Sequence, residues 1–156
     1  MLDANPTVLI VDDDPEFRDS VARLLRTVGL QTQQFSSVAD FFKAVPPDGP
    51  TCLVLDVRLP GGTSGLEYLE KFADLGIRLP VVMTTGYGDV EMTVRAMKAG
   101  AADFLTKPFR AREMIDAVTT ALERDRQRRT VEAEQTLLRE RFALLCKRQG
   151  DRTWRG

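Results

Sequence analysis

Three consecutive aspartates, Asp12, Asp13 and Asp14, follow the apolar run Val8-Leu9-Ile10-Val11, and Asp56 closes a second run, Cys52-Leu53-Val54-Leu55. Two further runs end in Thr84-Thr85 and in Lys107-Pro108. Carboxylates crowded within a few ångströms repel, and either protonation or a cation relieves the repulsion. Hard oxygen ligands beside a phosphate point to Mg²⁺, which keeps several waters and uses only one or two carboxylates. Asp56 stands alone at the tip of its run, which makes it the best nucleophile of the set. Carboxylates do accept phosphoryl groups, forming an aspartyl phosphate. Such a transfer mostly requires positioning and neutralisation of the phosphoryl oxygens. A cation can take one oxygen, the Lys107 ammonium a second and the Thr85 hydroxyl a third. Asp14 has a plainer task, since an aspartate directly before Pro15 is a helix cap.

These residues meet only if the runs that carry them lie side by side. The runs are rich in Val, Ile and Leu and do not alternate with polar residues, as in strands buried on both faces of a parallel sheet. Segments with helical spacing separate them. Residues 15–28 carry Phe17, Val21, Leu24, Leu25 and Val28 on one stripe, with Gly29 placed to end the helix. A polar strand over residues 31–35 reads as a sheet edge. Ser36 or Ser37 can cap a short helix bearing Val38, Phe41, Phe42 and Val45, broken by Pro46-Pro47. The next helix carries Leu66, Leu69, Phe72 and Leu75 and ends at Gly76. Asp89 caps another, with Val90, Val94 and Met97, ended by Gly100. A last helix starts near Ala111 and carries Met114, Ile115, Val118 and Leu122. Five βα units predict a doubly wound α/β domain, (βα)5, with a crevice at the carboxyl ends of its strands. All the chemistry-bearing residues fall at those ends.

Composition narrows the partners. The 156 residues carry a net charge of −1, which gives no global reason to bind nucleic acid or an anionic membrane. There is no histidine, so a Cys/His zinc site is excluded. Cys52 reads as a strand residue and Cys146 as incidental. No apolar run approaches the roughly 18 residues of a membrane span, and the first residues lack a signal-peptide pattern, so a cytoplasmic location is expected.

Beyond Glu123 the composition shifts to Glu123-Arg124-Asp125-Arg126-Gln127-Arg128-Arg129, and apolar residues resume at Val131, Leu137, Leu138, Phe142, Leu144 and Leu145. No Gly or Pro interrupts residues 111–149, so the last helix is expected to run on past the domain. Acidic residues interleave with the arginines, as on a solvated or pairing helix rather than a nucleic-acid-binding one. Val131, Leu138 and Leu145 are seven apart, which favours pairing, although two heptads are short for a coiled coil.

Val11-Asp12-Asp13-Asp14, Leu55-Asp56-Val57-Arg58-Leu59-Pro60-Gly61, Thr84-Thr85-Gly86 and Lys107-Pro108-Phe109 together resemble the signature of response-regulator receiver domains of two-component signalling, and cover residues 6–124 in order. The segments over residues 97–104 and 85–90 are similar to the FixJ-type branch. The resemblance implies a five-stranded parallel sheet in the flavodoxin-like order 2-1-3-4-5. It implies that Asp56 accepts a phosphoryl group from the phosphohistidine of a sensor histidine kinase. Asp13, Asp56 and the backbone carbonyl of Arg58 would bind Mg²⁺, with Asp12 acting through water. Thr85 and Lys107 would hold the phosphate, and Thr85 and Phe104 would carry the switch. Arg58 and Tyr87 match the two positions that tune dephosphorylation, and neither is an evident base for water. Kinase recognition would fall on the first helix, around Arg18, Val21, Ala22 and Leu25.

The expected organisation is a receiver over residues 1–124, a linker or pairing helix over 125–149 and a disordered tail over 150–156. Homodimerisation on phosphorylation is expected through the fourth and fifth helices and the last strand. DNA would be reached only through a LuxR-type helix-turn-helix output domain, which needs roughly 60 further residues; Lys147 to Gly156 resembles no start of one. Three rivals remain in view. A Mg²⁺-dependent phosphohydrolase also uses an aspartate after a strand, but would have Thr or Val where Glu16 stands. An FMN binder would not place three carboxylates by the cofactor phosphate. A degenerate receiver acting as a scaffold would not need the intact set of Asp56, Thr85 and Lys107.

Overall fold

The structure, a computed structural model, describes residues 5–148; the tail expected over residues 150–156 lies outside them. Five βα units follow one another: β1 (Thr7–Val11), α1 (Pro15–Arg26), β2 (Gln31–Phe35), α2 (Val38–Lys43), β3 (Thr51–Asp56), α3 (Gly65–Phe72), β4 (Val81–Thr85), α4 (Val90–Lys98), β5 (Asp103–Thr106) and α5 (Ala111–Arg148). The strands form one parallel sheet in the order β2-β1-β3-β4-β5. The expected doubly wound architecture and strand order are therefore present.

The apolar runs pack as their lack of alternation implies. Successive side chains of a strand point to opposite faces. Val8, Ile10, Cys52, Val54 and Val82 accordingly join α1 and α5 in one core. Leu9, Val11, Leu53, Leu55, Val81 and Met83 join α2, α3 and Ala96 of α4 in the other. Burial pushes the Cys52 thiol up to about 12, with Asp125 adding to the shift, so this cysteine is a core residue and no nucleophile. β2 is the exposed edge that its polarity predicted.

Helix starts follow the capping residues. Asp14 accepts from the Glu16 amide at 3.0 Å, Ser37 from Asp40 at 3.1 Å, and Asp89 from Met92 at 2.7 Å. Ser64 and Glu67 form a reciprocal capping box at the start of α3. The apolar stripes of four helices differ from expectation. Val90, Val94 and Met97 of α4 lie exposed, and only Ala96 of that helix is buried. Val28, Val45 and Leu75 are likewise exposed, lying past the ends of α1, α2 and α3, and Phe42 is exposed within α2 while its neighbour Phe41 is buried.

The last helix does continue past the domain, and Asp125 is where it leaves. Its carboxylate is fully buried and accepts from the Thr51 amide at 2.8 Å. Arg128 and Arg129 bond to it from the following turn, each at 2.7 Å. Thr51 opens β3, the strand that ends in Asp56, so this carboxylate fastens the helix to the site-bearing strand. Asp125→Ala would strand the Thr51 N–H in the interior and remove the buried acceptor of Arg129 and one of the two carboxylates that hold Arg128. A loss of about 2–4 kcal/mol in urea-induced unfolding is expected. Asp125→Asn keeps an acceptor for Thr51 and should cost less.

Candidate functional site

Parallel pairing brings the carboxyl ends of β1, β3, β4 and β5 to one edge. Asp56 sits opposite Thr84, and Thr85 opposite Thr106. Asp12, Asp13 and Asp56 each offer a carboxylate oxygen, and these oxygens lie within 4.8 Å of one another. Asp12 and Asp56 are buried, whereas Asp13 is exposed at the mouth. The Lys107 ammonium reaches in from the loop after β5, where the Lys107–Pro108 bond is cis. Its Nζ lies 2.9 Å from Asp12 Oδ2 and 3.6 Å from Asp56 Oδ2.

Asp56 ionises reluctantly. Burial raises its pKa from 3.8 to about 6, and the neighbouring Asp12 and Asp13 carboxylates push in the same direction. The Arg58 amide, which donates to Asp56 Oδ1 at 3.1 Å, and Lys107 pull it back. One ammonium faces three carboxylates, so the pocket carries excess negative charge at neutral pH. The donor set is all hard oxygen, and it is incompletely neutralised. Both properties fit a small divalent cation.

The surrounding residues hold these groups in place. Asp12 Oδ1 accepts from the Asp14 amide at 2.9 Å, and the Arg18 guanidinium donates to the Asp12 carbonyl at 2.5 Å. Lys107 Nζ lies 3.8 Å from the centre of the Phe17 ring, which fixes the amine by cation–π attraction. The Thr85 hydroxyl bonds the Tyr87 backbone, accepting from its amide at 3.1 Å and donating to its carbonyl at 3.2 Å. Phe104 is half-buried, opposite Met83 in the register. The Arg58 guanidinium stacks 5.1 Å from the Tyr87 ring centre, joining the two loops that follow β3 and β4.

Two further residues of the site are glycines that sequence reasoning missed. A Cβ on Gly65 would meet the Asp56 carbonyl oxygen at 2.0 Å, and the Gly65 amide donates to the Val57 carbonyl at 2.7 Å. A Cβ on Gly88 would meet Thr106 Oγ1 at 2.9 Å and both Phe104 and Thr85 at 3.4 Å. A glycine in a loop reads as a turn residue; only the assembled fold reveals a close approach. The expectation for α1 needs correction. Val21, Ala22 and Leu25 are buried in the core. The accessible side of α1 presents Ser20 and Leu24, which with Val21, Phe17, Lys107 and Phe109 line a shallow cavity.

A doubly wound parallel sheet with three carboxylates and one ammonium at its carboxyl edge defines a flavodoxin-like phosphoryl-handling domain. The chain matches the model of the response regulator receiver domain over residues 8–119, and it belongs to that family. Phosphorylation on an aspartate is the general function of these domains. The chain is 48% identical over 142 residues to Nodulation protein W of Bradyrhizobium diazoefficiens, covering 91% of this chain and 62% of that protein. It is 42% identical over 142 residues to the transcriptional regulatory protein FixJ of Azorhizobium caulinodans, covering 91% and 67%. The solved structure of response regulator StyR superposes with a TM-score of 0.82 at 40% identity, covering 90% of this chain and 70% of that one. The chain thus spans about two thirds of the length of the curated relatives it matches. Among the described residues, no helix is long and apolar enough to cross a membrane.

Proposed function

We propose that Asp56 accepts a phosphoryl group from the phosphohistidine of a sensor histidine kinase and that the altered pocket controls an output. The observation that carries this reading is the cluster of Asp12, Asp13 and Asp56 around one ammonium, with Asp56 at the strand tip. An Asp56 carboxylate oxygen attacks phosphorus, the P–N bond to the donor imidazole breaks, and an aspartyl phosphate remains. Asp13, Asp56 and the Arg58 carbonyl would hold Mg²⁺, with Asp12 acting through water. The bound ion supplies charge neutralisation for the phosphoryl oxygens. Lys107 rests nearer Asp12 than Asp56 and would turn toward the new phosphate, exchanging one anionic partner for another. Thr85 would leave its bonds to the Tyr87 backbone and donate to a phosphoryl oxygen. Phe104 would follow, since its ring and the Thr85 methyl border the same space beside Gly88. The domain is a signalling acceptor rather than a turnover enzyme.

The unit boundaries follow the same reading: a receiver over residues 1–124 and a linking helix from 125 onward. The whole protein would act in the cytoplasm and regulate transcription through a further DNA-binding domain of the kind implied by the FixJ-type relatives. Phosphorylation would promote homodimerisation through α4, β5 and α5, where Val90, Val94 and Met97 lie exposed. Intact-mass spectrometry with acetyl phosphate tests the central claim. One phosphoryl group per chain is expected with Mg²⁺ and none with EDTA. Continuous consumption of donor would instead make the protein a phosphohydrolase.

Decay of the adduct forms a separate prediction. Arg58 and Tyr87 stack on each other, and neither can act as a general base for water at neutral pH. The acyl phosphate is therefore expected to decay slowly without a phosphatase. A time course showing loss within seconds would contradict this assignment of the two residues.

A further inference from the structure

The α5 segment beyond Asp125 carries a second feature that the phosphorylation site does not use. Val131, Gln135, Leu138, Phe142 and Leu145 recur at alternating spacings of four and three residues, the a/d pattern of a paired helix. Val131, Leu138 and Leu145 are each at least half exposed. Arg128, Arg129 and Glu132 face the domain, Glu132 through an ion pair with Arg78 at 3.0 Å. The apolar stripe lies about 110° around the helix from that side; its first positions, Val131 and Gln135, border a groove beside Arg78, and Leu138 and Leu145 stand farther along the helix, exposed. The flanking positions are charged in a patterned way: Glu134 precedes Gln135, and Arg139 follows Leu138.

We propose that this extension pairs with the same segment of a second copy of the chain, parallel and in register, whether or not Asp56 is phosphorylated. In that arrangement Val131, Leu138 and Leu145 each meet their own counterpart. Glu134 of each helix lies beside Arg139 of the other, giving two complementary pairs across the seam. The two Gln135 amides face each other and can hydrogen-bond, which fixes register. The antiparallel alternative also matches charges, setting Glu134 against Arg141 and Glu132 against Arg139. It fails on three counts. Glu132 is already held by Arg78 and Arg128. Leu145 of the second copy would lie on Arg128, which Asp125 and Glu132 hold against the domain. Gln135 would be pressed against Leu138 without a hydrogen-bond partner. Asp125 contributes by anchoring the helix root, so that the paired segment begins at a fixed point on each domain.

Sedimentation equilibrium of the 156-residue chain without phosphodonor tests the proposal, with Asp56→Asn run in parallel. Both proteins are expected to associate to dimers between micromolar and about millimolar concentration. Leu138→Asp, at an exposed position outside the domain, should weaken association by at least about tenfold with the far-ultraviolet spectrum unchanged. Glu134→Arg should weaken it by about fivefold, and adding Arg139→Glu should restore it to within about twofold of the parent. A chain monomeric at about 1 mM, or a dimer indifferent to Leu138→Asp, overturns the pairing. Restoration by Arg141→Glu in place of Arg139→Glu overturns the parallel arrangement. Loss of pairing and loss of phosphoryl acceptance are read in different assays, so neither failure can be mistaken for the other.

Discussion

Asp56→Asn is expected to take up no phosphoryl group and at the same time to yield a more stable protein. Uptake fails because an amide oxygen offers no anionic nucleophile, and the Asp12 and Asp13 carboxylates remain in their places. Stability rises because the ionised Asp56 is buried among like charges. The folded protein keeps the Asp56 proton up to about pH 6, whereas the ordinary value is 3.8. Between those pH values the folded state binds more protons than the unfolded one, so stability falls as pH rises through the window. Above about pH 6 the whole penalty is present, and below 3.8 it is gone. The shift alone would correspond to about 3 kcal/mol; screening at the open mouth of the pocket reduces the expected gain to about 1–2 kcal/mol. At pH 7.5 in EDTA the variant should melt about 3–8 °C higher than the parent. The gap should close toward pH 4, and added Mg²⁺ should narrow it by stabilising the parent. Thermal melts across pH, paired with intact-mass spectra, check both halves. A variant less stable than the parent at pH 7.5 would mean that Asp56 is stabilised by Lys107 more than it is repelled by Asp12.

Gly65→Ala is expected to cost about 3 kcal/mol and to disable the acceptor, although residue 65 carries no functional group. The added methyl would lie 2.0 Å from the Asp56 carbonyl oxygen, 2.9 Å from its carbonyl carbon and 3.2 Å from the Val57 Cα. All three are backbone atoms, so no side chain can rotate away. Either the start of α3 lifts off the sheet, breaking the Gly65–Val57 hydrogen bond, or the end of β3 moves and takes the Asp56 carboxylate with it. The second outcome separates Asp56 from Asp12 and Lys107. Urea titration measures the stability loss, and the rate of adduct formation under folding conditions measures the displacement. Gly86→Ala is the matched control: a methyl there meets nothing within 4 Å, and both quantities should stay near the parent values.

Much of this protein is written locally. Each apolar run carried its own evidence of burial on both faces, and Asp14, Ser37, Ser64 and Asp89 start helices through bonds to amides two or three residues away. Polarity alone marked β2 as an edge. That Asp12, Asp13, Asp56 and Lys107 would gather at one edge was equally legible, because parallel strands align their carboxyl ends by construction and all four follow such ends.

What only the assembled fold decided depends on atoms distant in sequence. The three exposed apolar residues of α4 could be recognised only once that helix was seen to bury Ala96 instead, since periodicity marks a stripe without saying which way it faces. Asp125 looked like one charge in a solvated run; its burial required Thr51, 74 residues away, to donate from the start of β3. Gly65 gained its meaning from the Asp56 carbonyl pressed against it, and the raised pKa of Asp56 came first from burial and then from the Asp12 and Asp13 carboxylates beside it. Sequence determined which residues could do the chemistry and which segments would carry them. Tertiary structure decided their distances, and with them which carboxylate Lys107 neutralises, because electrostatic and steric energies depend on separations that no local pattern contains.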